Sequence, residues 1–225
     1  MPEFKVIEVK QSVMENNDRR AEELRKELKA DKTFLLNLMS SPGSGKTTTL
    51  RRTIEALKDE LRIGIMEADI DSDVDAATIE KTGVKVIQLH TGGMCHLDAG
   101  MTEQGLNELG FSDYDFVVLE NVGNLVCPAE FDTGAQINLV ILSVPEGDDK
   151  PLKYPLMFTK ADVVVVNKID AMEVFDFSPE KFKQYVAECC PDAPVFMVSA
   201  ATGEGIIALS EWVGERVKEI LEYID

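Results

Sequence analysis

A chain of 225 residues is long enough for one domain with a full core, and its 44% apolar and 28% charged content is that of a soluble globular protein. A net charge of −18 repels nucleic-acid phosphates and anionic membranes, so neither is an expected partner. No apolar run reaches the roughly 18 residues of a membrane span. The opening "MPEFKVIEVK" has no apolar stretch behind a basic head, so a cytoplasmic location is expected, with the four cysteines reduced rather than paired in disulfides.

The first predicted element is a helix over "ENNDRRAEELRKELKADK", where Ala21, Leu24 and Leu28 share a face and Glu22 stands one turn before Lys26. It is expected to be a solvated helical extension, residues 1–32, leaning on a domain spanning 33–225. Strands are then expected at 34–39, 62–67, 84–89, 116–121, 137–144, 162–167 and 194–199. Several are apolar at nearly every position, as in strands covered on both faces. Leu50, Ile54, Leu57 and Leu61 mark a helix between the first two strands. Ser178 followed by Pro179 starts another helix, with Phe182, Val186 and Cys189 facing inward. Leu209, Trp212, Val213, Val217, Ile220 and Ile224 mark the last one. The alternation predicts an α/β fold: a mainly parallel seven-stranded sheet flanked by helices.

The first strand runs into "SSPGSGKTTT". From Ser40 to Thr47 this fits the P-loop pattern except at its first position, where Ser40 replaces glycine. Gly43 and Gly45 would let the backbone N–H groups of Ser44, Gly45 and Thr48 turn toward a phosphate at a helix N-terminus. Lys46 would reach the outer phosphates, and the Thr47 hydroxyl would bind Mg²⁺. "NKID" ends a later strand. Asp170 can accept the N1 and N2 protons of guanine, Lys168 can cover the base with its stem, and Asn167 can brace the loop. "SAATGEG" would bring the Ala200 N–H to guanine O6. GTP and GDP are thus the expected ligands.

"ENVG" places Glu120 for Mg²⁺ and Gly123 for the γ-phosphate. Ras-like proteins have a water-orienting Gln after this glycine; Asn124 stands here, so hydrolysis should be slow. In "EADIDSDVDAA", Asp69 would position the attacking water and Asp75, in the loop beyond, would be an Mg²⁺-side ligand. Catalysis is therefore assigned to Lys46, Asp69 and Glu120.

"TGGMCHLDAG" puts His96, one of only two histidines, beside Cys95, and "GNLVCP" puts Cys127 four residues past Gly123. Two thiolates and an imidazole suit zinc or nickel, and three ligands leave a position open. Taken alone, Cys95 and Cys127 read more readily as small buried hydrophobes than as ligands. Cys189 and Cys190 read as packing and His90 as structural.

Together, "SSPGSGKTT", "GMCHLDAGM", "ENVGNLVCP", "EGDDKPLKYP" and "VVNKID" resemble the HypB family of hydrogenase-maturation GTPases, from about Phe34 to the C-terminus. The resemblance implies a fold of the signal-recognition/MinD/BioD (SIMIBI) class, nucleotide-dependent homodimerisation and slow GTP hydrolysis. It further implies a nickel or zinc site at Cys95, His96 and Cys127 near the dimer interface, and a hydrogenase precursor or maturation protein as partner. "EGDDKPLKYP" would lie near that interface, with Lys150 or Lys153 touching the partner's nucleotide. The N-terminus carries no cysteine cluster or histidine-rich run, and Gly100 stands where some relatives have a further histidine. Competing readings are a urease-type accessory GTPase, a P-loop small-molecule kinase and a metal store.

Overall fold

A computed structural model of the chain describes residues 9–69 and 74–222. In order the elements are α1 (Val9–Ala30), β1 (Phe34–Ser40), α2 (Lys46–Leu57), β2 (Ile63–Asp69), α3 (Val74–Glu80) and β3 (Lys85–His90). Then come α4 (Ala99–Leu109), β4 (Phe116–Glu120), α5 (Cys127–Glu130), β5 (Ile137–Ser143), α6 (Lys150–Lys153) and α7 (Pro155–Thr159). β6 (Val163–Asn167), α8 (Pro179–Cys189), β7 (Val195–Met197) and α9 (Ile206–Glu222) complete it. The strands form one seven-stranded sheet in the order β3-β2-β4-β1-β5-β6-β7. Every pairing is parallel.

The near-continuous apolar strands have the expected cause. Leu36 and Leu38 of β1 pack with Leu50, Leu209 and Val213 of α2 and α9 on one face. Leu35, one residue out of phase, packs with Leu24 and Leu28 of α1 and Leu106 of α4 on the other. Val140, Val164 and Val166 continue that second face against Phe158 and Phe182. Strand alternation thus sends successive side chains into two dry layers.

Three sequence expectations change. α2 ends at Leu57, and Leu61 is buried in the turn beyond it. Asp75 sits in the first turn of α3 rather than in a loop, because Val74–Glu80 closes into a helix. Cys190, not Cys189, is the more buried thiol: α8 stops at Cys189, and the cap residue turns inward. Burial raises the Cys190 pKa to about 11, as expected of a packed, unreactive thiol. Ile224 lies outside the described residues.

α1 is more than a leaning stripe. Ala21, Leu24 and Leu28 are buried as expected, but Asn17 is buried too. Arg25 makes two 2.8 Å bonds to the Asp132 carboxylate. No helix among the described residues is long and apolar enough to cross a membrane.

Candidate functional site

The loops at the carboxyl ends of the parallel strands lie along one edge of the sheet, where ligands bind in open α/β folds. The Ser40–Thr47 loop leaves β1 there and enters α2 at Lys46. Gly43 and Gly45 have φ of 75° and 94°, the left-handed region open to glycine. A Cβ at Gly45 would stand 2.3 Å from Asn167 Nδ2. That closeness has a purpose: Asn167 Nδ2 donates to Ser44 O at 2.9 Å, and Asn167 Oδ1 accepts from Ala200 N at 3.0 Å. One buried amide therefore ties three loops together.

This alters the part expected of Ala200, whose N–H is engaged by Asn167 instead of facing open space. Lys168, at φ 61°, donates to Gly43 O at 2.6 Å and so bridges the same two loops. Asp170 is exposed and accepts from Ser199 Oγ at 2.5 Å. The Ser44 hydroxyl is buried without a hydrogen-bond partner, so the cradle holds an unspent polar group.

Thr47 Oγ1 donates to Glu120 Oε1 at 2.7 Å. Glu120 is almost fully buried at the end of β4, paired in register with Glu67 of β2. Two adjacent hard oxygens of this kind suit Mg²⁺. Asp69 ends β2 at the same edge, half-buried; the Asp75 side chain lies outside the described residues. Gly123 packs on the glycine loop so closely that a Cβ there would be 3.3 Å from both Lys46 Nζ and Pro42 Cα.

Beyond Gly123 the Asn124 side chain turns back. Its Oδ1 accepts from Val126 N at 2.7 Å and Cys127 N at 3.2 Å, an Asx-type turn that leads into α5. Cys127 is half-buried at that start; its Sγ accepts from Asn124 Nδ2 at 3.8 Å, and its thiol neighbours that of Cys95. The Cys95 thiol, burial and the Glu130 charge push the Cys127 pKa up.

His96 does not join the thiols. Its ring stacks on Phe131 at 3.9 Å between centroids and 11° between planes. Among the described residues no three His, Cys, Asp or Glu side chains converge at metal-binding spacing. The expected set of Cys95, His96 and Cys127 is thus not gathered into one cluster; the two thiols are neighbours while the imidazole stacks on Phe131. Burial lowers the His96 pKa against the pull of Asp98 and Glu130, and its Nδ1 is buried without a hydrogen-bond partner.

Several contributors escape sequence reasoning. Glu146 accepts from Ser41 Oγ of the glycine loop and from Ser143 N at 2.7 Å, so "EGDDKPLKYP" is anchored to that loop. Asn37 links Asn121 and Asn138 across β4, β1 and β5 at 3.1 and 2.9 Å. Lys153 pairs with Asp149 at 2.6 Å, and Lys150 lies 5.3 Å from the Tyr154 ring centre.

A family model described as "CobW/HypB/UreG, nucleotide-binding domain" matches residues 34–197. The hydrogenase maturation factor HypB of Azotobacter chroococcum mcd 1 is 45% identical over 213 residues, 95% of this chain and 69% of that protein. The factor of the same name from Escherichia coli (strain K12) is 42% identical, over 95% of this chain and 73% of its own. The crystal structure of HypB from Helicobacter pylori in complex with nickel matches with a TM-score of 0.84 at 40% identity, covering 91% of this chain and 96% of that one. The signal recognition particle receptor FtsY of Elizabethkingia anophelis, 15% identical with a TM-score of 0.56 over 96% of this chain and 81% of its own, shares the fold. On its site architecture, its family match and these relatives, the chain belongs to the HypB family of the CobW/HypB/UreG nucleotide-binding proteins.

Proposed function

We propose that this chain is a slow GTP hydrolase that carries nickel for hydrogenase maturation, with the nucleotide state setting its hold on the metal. One observation carries the reading. The segment from Glu120 to Cys127 touches the glycine loop through Gly123 and ends on a thiol that stands beside Cys95.

The nucleotide's phosphates would lie over the N-terminus of α2, with Lys46 at the outer phosphates. Asp170 would select guanine by accepting two of its N–H groups. Thr47 and Glu120 would hold Mg²⁺, which when bound neutralises charge on the β- and γ-phosphates. Asp69 would orient the attacking water, since the Asn124 side chain is engaged within the Cys127 turn. The buried Ser44 hydroxyl and the left-handed backbone at Gly43 and Gly45 support a loop shaped around a ligand.

When GTP is bound, Gly123 closes on the γ-phosphate and the Cys127 segment follows. Nickel, the cargo, binds between Cys95 and Cys127; zinc suits the same sulfur donors. His96 joins once its ring leaves Phe131, and a second copy of the chain closes the site in a nucleotide-dependent homodimer. Hydrolysis relaxes Gly123 and hands nickel to a hydrogenase precursor or its maturation partner. The relatives named as hydrogenase maturation factors support that destination.

Incubation with Mg²⁺ and γ-labelled GTP tests the enzymatic part. Release of inorganic phosphate, absent with ATP, is the expected result; transfer of the label to a metabolite would make the chain a kinase.

A further inference from the structure

Two thiols on different loops are only as well placed as the loops themselves. Cys95 belongs to the segment between β3 and α4, and Cys127 begins α5. A single side chain from a third element joins these segments. Asn17 of α1 donates from Nδ2 to Asp132 O at 2.9 Å, five residues past Cys127. Its Oδ1 accepts from Ala99 N at 2.9 Å, four residues past Cys95. Asn17 is only 9% exposed. The bond to Ala99 is buried and the one to Asp132 partly so, and losing the first would strand a buried backbone N–H.

The neighbouring turns of α1 grip the same two segments. Arg25 holds the Asp132 carboxylate with two bonds of 2.8 Å, and that carboxylate also accepts from Gly134 N at 2.8 Å. Arg20 pairs with Glu103 of α4 at 2.6 Å and lies against Gly100. The spacing of Asn17, Arg20, Ala21, Leu24, Arg25 and Leu28 puts them along one side of the helix. Hydrophobic contact alone is non-directional and would let α1 slide. The Asn17 amide fixes one register, because each of its bonds meets a specific backbone atom on a different loop.

We infer that Asn17 is a positioning residue for the thiol pair: it sets the separation of the Cys95 and Cys127 segments from outside the site. The inference deepens the proposed function and rests on it for the claim that these thiols take metal. The clamp itself can be tested without metal.

Asn17→Leu keeps the branched four-atom shape, with bulkier methyl ends, and removes both bonds. Leu28→Ala, at a fully buried position farther along α1 whose side chain makes neither hydrogen bond, serves as the control that destabilises the helix. The rate at which dibromobimane bridges Cys95 and Cys127, read by peptide mapping of the full chain well below the unfolding midpoint, reports the thiol separation. It should fall about tenfold in Asn17→Leu and stay at the wild-type rate in Leu28→Ala, even where the control lowers Tm more. Nickel affinity, measured as the part abolished by Cys127→Ala, should weaken about tenfold to a hundredfold in Asn17→Leu, as loss of an outer support typically does. Bridging at the wild-type rate in Asn17→Leu, or equal slowing in Leu28→Ala, would overturn the positioning role. Slowed bridging in Asn17→Leu alone, in a wild type that binds no nickel through Cys127, would sustain the clamp and overturn the nickel reading.

Discussion

The two ends of the site are finished to different degrees. Around the glycine loop, Asn167 joins Ser44 to Ala200, Lys168 joins Gly43 to the β6 loop, and Thr47 meets Glu120. At the other end the thiols of Cys95 and Cys127 are neighbours, but His96 rests on Phe131. Pre-organised groups bind without reorganising; a site that must move a ring first binds only in the state that moves it. The difference suits a protein whose nucleotide end senses and whose thiol end responds.

The sharpest break of that contrast is at the finished end. Lys46→Ala should cut GTP hydrolysis about 10²- to 10³-fold, by analogy with removal of a pre-placed charge-stabilising donor. Phosphate release at saturating GTP measures it, and a loss under threefold would remove Lys46 from catalysis. Asp170→Asn comes next. Replacing the acceptor carboxylate should weaken GTP about tenfold to a hundredfold, the range for a lost hydrogen bond to a charged group. Xanthosine triphosphate, with a carbonyl where guanine carries its amino group, should gain relative to GTP; calorimetric titration with both nucleotides decides.

At the unfinished end the expected effects are smaller. Asn124→Ala removes the side-chain bonds that shape the Cys127 turn and should cost about 1 kcal/mol of stability, read by urea unfolding. An unchanged midpoint would mean those bonds are idle.

The smallest effect is one of pH. Burial pushes the Asp132 carboxyl up, but its bonds to Arg25 and Gly134 N and the Arg25 and Lys160 charges outweigh this and hold its pKa below the usual carboxylate range. A carboxylate lowered in the folded state contributes stability above its unfolded pKa, roughly 3.9. That contribution is lost as pH falls through the folded value. Between pH 5 and pH 2 the wild type should therefore lose more stability than Asp132→Asn; equal losses would show that the Arg25 clamp contributes nothing through this charge.

Much of the nucleotide end was legible because its signals are local. Strand, glycine turn and lysine follow one another in "FLLNLMSSPGSGKT", and parallel strands buried on both faces are apolar at almost every residue. α4 escaped sequence reading because its buried side includes Thr102 and Gly105 along with Leu106 and Leu109. The small residues leave room for Met66 and Leu89 of the sheet but erase the apolar stripe. Its markers were present: Asp98 caps the start at 2.8 Å from Met101 N, and Gly110 ends it at φ 77°. The stacking of His96 on Phe131 and the double bond-making of Asn17 could not be read at all. Each depends on residues 35 or more positions apart, brought together by the crossovers of the sheet.

The central claim is a coupling between the terminal phosphate and the thiols through the stretch from Gly123 to Cys127. Nickel affinity measured with GDP and with a non-hydrolysable GTP analogue tests it most directly, paired with analogue affinity measured with and without nickel. The account predicts two equal factors, about 5- to 150-fold, since linkage makes the coupling reciprocal. Nickel affinity identical in both nucleotide states would contradict it.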